Sequence, residues 1–304
     1  MIYLLIAIFC GSLFSVLFRV SQKYGINTSQ VILFNYVFAA LVSWVPLIVT
    51  SISQGVPMVN PFVERWCWLA LMQGFLFLMG FTVMDASTLR NGVALTTVAA
   101  RASLVLSVIL CWILLAQPAP SWLAVGMVVV ALLLLILPGQ KSGASSGSRS
   151  KAWIIVGVFF FYGISDFSLK MVQRLVENQY ASTPDLMGRQ LTALSATIFL
   201  MGAFLSLQSC ALSGSLKRGE DGQRAVTWKS VGMGSLLGLA NMGCTSCILR
   251  ALGAMPTGMF YPLYNVGNVV LSTIFGVVLF RERFHWVQIL GFLLAGVAIV
   301  LFFR

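Results

Sequence analysis

Apolar residues run along this chain in long unbroken stretches, with polar residues gathered in short clusters between them rather than alternating with them. Ten stretches stand out, at roughly 2–20, 31–50, 66–86, 93–115, 121–138, 152–174, 190–212, 229–250, 257–280 and 285–303, each near the ~20 residues a helix needs to cross bilayer hydrocarbon. Barrel strands would alternate polar and apolar side chains, so the pattern predicts helices. The expected fold class is an all-α integral membrane protein with ten transmembrane helices.

The clusters between the stretches divide the chain in two. Residues 139–151, GQKSGASSGSRSK, form its one Gly/Ser-rich segment and fall near the middle. Five stretches lie on each side, giving a first five-helix repeat over 1–138, a linker over 139–151 and a second five-helix repeat over 152–304. The halves match in pieces. FSVLFR, ending at Arg19, parallels DFSLK, ending at Lys170; Leu89-Arg90 parallels Leu249-Arg250; LAQPAPSWLAVGMVVVALLLLIL (115–137) parallels LFRERFHWVQILGFLLAGVAIVLF (279–302). An odd number of spans per repeat makes the second copy enter the membrane from the opposite side. Matching sequences then become inverted structures, the architecture of many secondary transporters, which hold substrate near the midplane.

The five-plus-five duplication, together with Leu279, Glu282, Trp286, Gln288, Gly291 and Gly296 in the last hairpin, resembles the EamA-type carriers of the drug/metabolite transporter superfamily. The likeness covers nearly the whole chain. It implies a small-molecule carrier of the inner membrane, commonly an exporter of amino acids or related metabolites, with no enzymatic activity and no cofactor. The first half departs from the pattern: Pro118, Ala119 and Pro120 stand where the second half has Glu282, and Ala102 stands where it has Pro262. Such relatives usually keep both termini in the cytoplasm. Most basic residues here fall on the side of the first hairpin, and the positive-inside rule accordingly places the termini outside.

Composition narrows the classes further. The 304 residues are 59% hydrophobic and 9% charged, with mean hydropathy +0.94, whereas soluble domains carry about 25% charged residues. The net charge of +11 rests on side chains scattered through short loops, which suits lipid headgroups and not nucleic acid. The first stretch has no basic flank and no small-residue cleavage site, so it reads as a helix that stays. Cys244 and Cys247 form a C-x-x-C that resembles half a metal or redox site, but the single histidine, His285, is far off in sequence. The expectation for the six cysteines is packing, with no metal bound.

Polar side chains at membrane depth need a reason. Arg101 lies ~13 Å along the fourth stretch, and burying it costs roughly 2.5–3.5 kcal/mol on insertion scales. Its own stretch offers no acid, so it needs a distant partner or an anionic ligand; Asp166, near the middle of the sixth stretch, could serve as either a partner or a second ligand group. Lys170 stands one helical turn beyond Asp166 and could pair with it. Tyr261, Tyr264, Asn265, Asn268 and Ser272 fall at i, i+3, i+4, i+7 and i+11, one face of a helix. Such a stripe forms either helix-to-helix hydrogen bonds or the wall of a wet cavity. Pro262 favours the cavity, because it frees a backbone carbonyl. The candidate substrate-binding residues are therefore Arg101, Asp166, Lys170, Tyr261, Tyr264, Asn265 and Asn268. Asn35, Tyr36, Gln73 and Asn241 are weaker candidates that suit helix packing.

These residues favour a carrier over the other membrane classes. The single histidine, His285, stands at the very start of the last stretch and not at membrane depth beside a serine, and no glycine-rich loop or paired metal carboxylates are present for phosphate chemistry. A channel would need rings of repeated ligands. The expected partners are a small-molecule substrate and membrane lipids, in a monomer or homodimer. An amino acid would place its carboxylate on Arg101 and its amino group on Asp166; the alternative, a hydrophobic cation or lipid-linked substrate, would use Asp166 alone.

Overall fold

The computed structural model describes residues 1–91, 93–136, 152–213, 226–280 and 286–302. The Gly/Ser-rich linker 139–151 and the hairpin tip with Arg281, Glu282, Arg283 and His285 lie outside the described residues, as does Arg304. Among the described residues every regular element is a helix. Eleven α-helices follow in order: α1 Ile2–Lys23, α2 Thr28–Gln54, α3 Cys67–Asn91, α4 Val93–Ala102, α5 Leu104–Leu114, α6 Trp122–Ile136, α7 Ala152–Tyr180, α8 Pro184–Leu212, α9 Trp228–Ala254, α10 Thr257–Phe280 and α11 Trp286–Phe302, with a 3-10 turn at Pro61–Val63. Five segments are long and apolar enough to cross a membrane: Thr28–Gln54, Cys67–Met84, Trp153–Tyr180, Pro184–Leu212 and Trp228–Ala254. That is the make-up of an α-helical membrane protein.

Local chemistry sets the helix ends. Asn27 Oδ1 accepts from Ser29 N and Gln30 N at 3.0 and 3.3 Å, capping α2, and Gly55 closes that helix at φ 63°, ψ 21°. Pro184 opens α8, where its missing N–H has no partner to lose. The fourth predicted stretch, 93–115, becomes α4 and α5 with a hitch between them. Ser103 keeps helical dihedrals, φ −58° and ψ −17°, and the ladder runs on through Ser103 N to Ala99 O and Ser107 N to Ser103 O, both 3.1 Å. Its hydroxyl meanwhile donates to Ala100 O at 2.7 Å, the local competition by which serine distorts a helix.

The chain forms two compact units, and each draws on both ends of the sequence. The first comprises Met1–Leu78 and Val172–Arg250; the second comprises Met79–Met171 and Ala251–Arg304. The boundaries fall inside α3, α7 and α9. In the first unit α2 packs along α8, and α9 lies on α2 so closely that a Cβ on Gly238 would sit 2.7 Å from Asn35 O. Tyr36, fully buried, fills the space beside Phe199. In the second unit α6 packs along α11, and α10 packs on both α5 and α6. A small apolar nucleus of Ala99, Ala100 and Val158, with Val83, Ile155 and Tyr162 against it, joins α3, α4 and α7. It sets the frame on which the polar residues below are hung.

Candidate functional site

All seven side chains singled out by the sequence lie in the second unit, on α4, α7 and α10. The close approach of α7 to α5 is made at Gly163, where a Cβ would meet Leu106 at 2.7 Å (Cδ2) and 2.9 Å (Cβ). Ser107 exploits that approach: its hydroxyl lies 3.2 Å from both Ser103 O and Gly163 O. That bond ties α5, which follows the helix carrying Arg101, to α7, the helix carrying Asp166.

Arg101, in the last turn of α4, donates from Nη1 to Asn265 Oδ1 at 3.1 Å. Asn265 is buried, and its Nδ2 donates in turn to Tyr261 O at 2.9 Å. The amide is thus used at both ends, with its oxygen held toward the guanidinium. Tyr261, also buried, donates its hydroxyl to the backbone carbonyl of Asp166. One path of hydrogen bonds therefore runs from α4 through α10 to α7.

The carboxylate of Asp166 stands outside that path. Arg101 acts on it through its field, but among the described residues no hydrogen bond or ion pair engages it, and Asn265 is the one acceptor that Arg101 finds. A guanidinium offers five N–H donors, and the bond to Asn265 uses one of them. Asp166 and Arg101 are held within electrostatic reach of each other without being joined.

Lys170, on the same face of α7 as Asp166, is buried and donates from Nζ to Leu252 O at 2.6 Å, near the end of α9. A cation suits the unsatisfied carbonyls of a helix C-terminus, and this bond ties Lys170 to that end. On α10 the half-buried ring of Tyr264 stacks on Phe260 at 5.6 Å and 7°. Asn268 Nδ2 donates to Tyr264 O at 2.8 Å. Within the stripe of α10, Tyr261 and Asn265 reach α7 and α4.

Tyr162 joins the group without having been singled out. It lies within the fields of both Arg101 and Asp166 and donates its hydroxyl to Met84 Sδ at 2.9 Å. The signal was available, since Tyr162 stands four residues before Asp166 on the same face of α7. The weaker candidates sit apart, in the first unit: Asn241 Nδ2 donates to Asn35 Oδ1 at 3.3 Å, joining α9 to α2, and Gln73 is fully buried in α3.

No family model matches the chain. An uncharacterized protein of Haemophilus influenzae is 25% identical over 305 residues, covering 97% of this chain and 95% of the relative. A solved crystal structure matches with a TM-score of 0.65 at 15% identity, covering 99% of this chain and 98% of that one. At such identity the likeness speaks to the fold alone.

Proposed function

We propose that this protein is a secondary transporter of small polar or amphipathic metabolites, amino acids foremost, working by alternating access as an exporter in the inner membrane. The observation that carries this reading is the unjoined pair of Arg101 and Asp166, close enough to feel each other and each short of partners. Charges at membrane depth cost several kcal/mol (roughly 2.5–3.5 on insertion scales) unless something satisfies them. A zwitterion satisfies both: its carboxylate takes the free N–H groups of Arg101, and its ammonium takes Asp166. Tyr162 and Tyr264 supply ring faces for the apolar part, and Tyr261 and Asn265 hold the two charges in place. Lys170, bonded to the end of α9, holds α7 in place one turn from Asp166.

The ten-span inverted repeat belongs to the same proposal. Its support is the pairing of helices that occupy the same place in the two halves of the sequence: second with second, α2 on α8; fourth with fourth, α5 on α10; fifth with fifth, α6 on α11. A two-fold relation between halves pairs equivalent elements in this way. The likeness of the last hairpin to EamA-type carriers points the same way. Translocation makes and breaks no covalent bond, so the reading needs neither catalytic residue nor cofactor.

The test has two stages. A thermal-shift screen of purified protein against metabolite classes finds a ligand, since whatever binds the folded state alone raises its unfolding temperature. Uptake of that ligand into liposomes is then compared for wild type, Arg101→Ala and Asp166→Asn. Both substitutions are expected to reduce amino acid transport at least tenfold. Loss with Asp166→Asn alone assigns a hydrophobic cation instead, and transport untouched by either substitution overturns the proposal.

A further inference from the structure

Three of the six cysteines meet along one seam of the first unit, brought there from opposite ends of the chain. Cys10 lies on α1; Cys244 and Cys247 lie on α9. The Cys10 sulfur sits 3.2 Å from where a Cβ on Gly243 would stand, so it rests directly on the surface of α9. Cys247 is one helical turn beyond Gly243 on the same face, a spacing of about 5–6 Å between Cβ positions. Its thiol and that of Cys10 lie within each other's electrostatic range. Cys244 is differently placed: it is buried and its thiol faces Ala7 O at 3.4 Å. Cys10 and Cys247 are both partly exposed. The C-x-x-C of α9 therefore finds a third thiol on α1, and that thiol neighbours its second cysteine.

We propose that Cys10 and Cys247 are an oxidisable pair that closes to a disulfide between α1 and α9. A disulfide needs Cβ atoms about 3.8 Å apart, so closure requires Cys10 and Cys247 to turn toward each other across the seam. Each thiol loses its proton, one S–S bond forms, and two electrons pass to a membrane-permeant acceptor. With an azodicarboxamide such as diamide as that acceptor, its N=N bond becomes N–N and takes up both protons. The seam runs between apolar helices, which favours uncharged oxidants over charged ones. The pair lies in the other unit from Arg101 and Asp166, so the inference stands whether or not the transport reading does.

The experiment uses the full-length purified protein, treated with diamide, alkylated, and digested without reductant for mass spectrometry. A Cys10–Cys247 linked peptide is expected in wild type and in Cys244→Ser. It is expected to disappear on reduction with dithiothreitol and to be absent from Cys10→Ser and Cys247→Ser. Wild type carries the decisive readout, so a variant that fails to fold leaves the test intact. Cys10 recovered fully alkylated after diamide, or linked to Cys244 instead, overturns the proposal.

Discussion

At the scale of single residues, the arrangement turns on what Asn265 is and is not. It accepts from Arg101 without neutralising it, so the guanidinium is aimed while its charge stays available. Asn265→Asp changes one atom type and supplies the missing anion. The expected outcome is an ion pair that occupies Arg101 before substrate arrives. Hydrogen bonds to charged groups are worth about 1.5–3 kcal/mol, so apparent substrate affinity falls by about tenfold to a hundredfold, while the unfolding temperature changes little because the new ion pair offsets the donor lost at Tyr261 O. Binding titrations and thermal unfolding on the same preparation check both halves of this. Unchanged affinity in Asn265→Asp would remove Arg101 from the binding step. Lys170 illustrates the converse case: sequence spacing offered Asp166 as its partner, and the structure gives it a backbone carbonyl on another helix.

At the scale of elements, hydropathy located the helices because lipid and water treat apolar side chains so differently, but it located their ends less well. The predicted sixth stretch stops at 174, and α7 continues to Tyr180 through Glu177, Asn178 and Gln179. Those residues leave the apolar run without leaving the helix, since the backbone ladder does not depend on hydropathy. The hitch at Ser103 and the bond from Tyr261 to Asp166 O were out of reach for another reason. Both end on backbone carbonyls, which every residue carries, so no residue pattern announces them. Arg101, Asp166 and the face of α10 were legible because charge and amide groups are costly at that depth, and cost leaves a pattern. Gly163 tests the element scale directly. Gly163→Val puts methyl groups into Leu106, and overpacking of this kind costs about 1–3 kcal/mol. It should also lengthen the Ser107 bond to Gly163 O and part α7 from α5. Lower unfolding temperature together with weaker substrate binding is expected; a variant as stable as wild type would mean that the approach at Gly163 is looser than described.

At the scale of the whole molecule, neither half of the sequence holds a complete compact unit, because each unit takes segments from both. Residues 1–138 and 152–304 expressed alone should therefore fail to give a monodisperse membrane protein. Expressed together as two chains, they should assemble and bind ligand, with co-purification through a tag on one half as the measurement. A half that is stable and monodisperse by itself would contradict this. The same interleaving bears on biosynthesis. The packing of α2 along α8 cannot form until Pro184–Leu212 has left the ribosome, long after Thr28–Gln54. At about 5–20 residues per second, the earlier helix waits roughly ten to thirty seconds in the nascent membrane with its Asn35 and Tyr36 face uncovered. For that interval the young chain needs a temporary companion, whether an insertase, a chaperone or lipid itself, and crowding of the translocation machinery should harm this protein more than one whose neighbours are synthesised in succession.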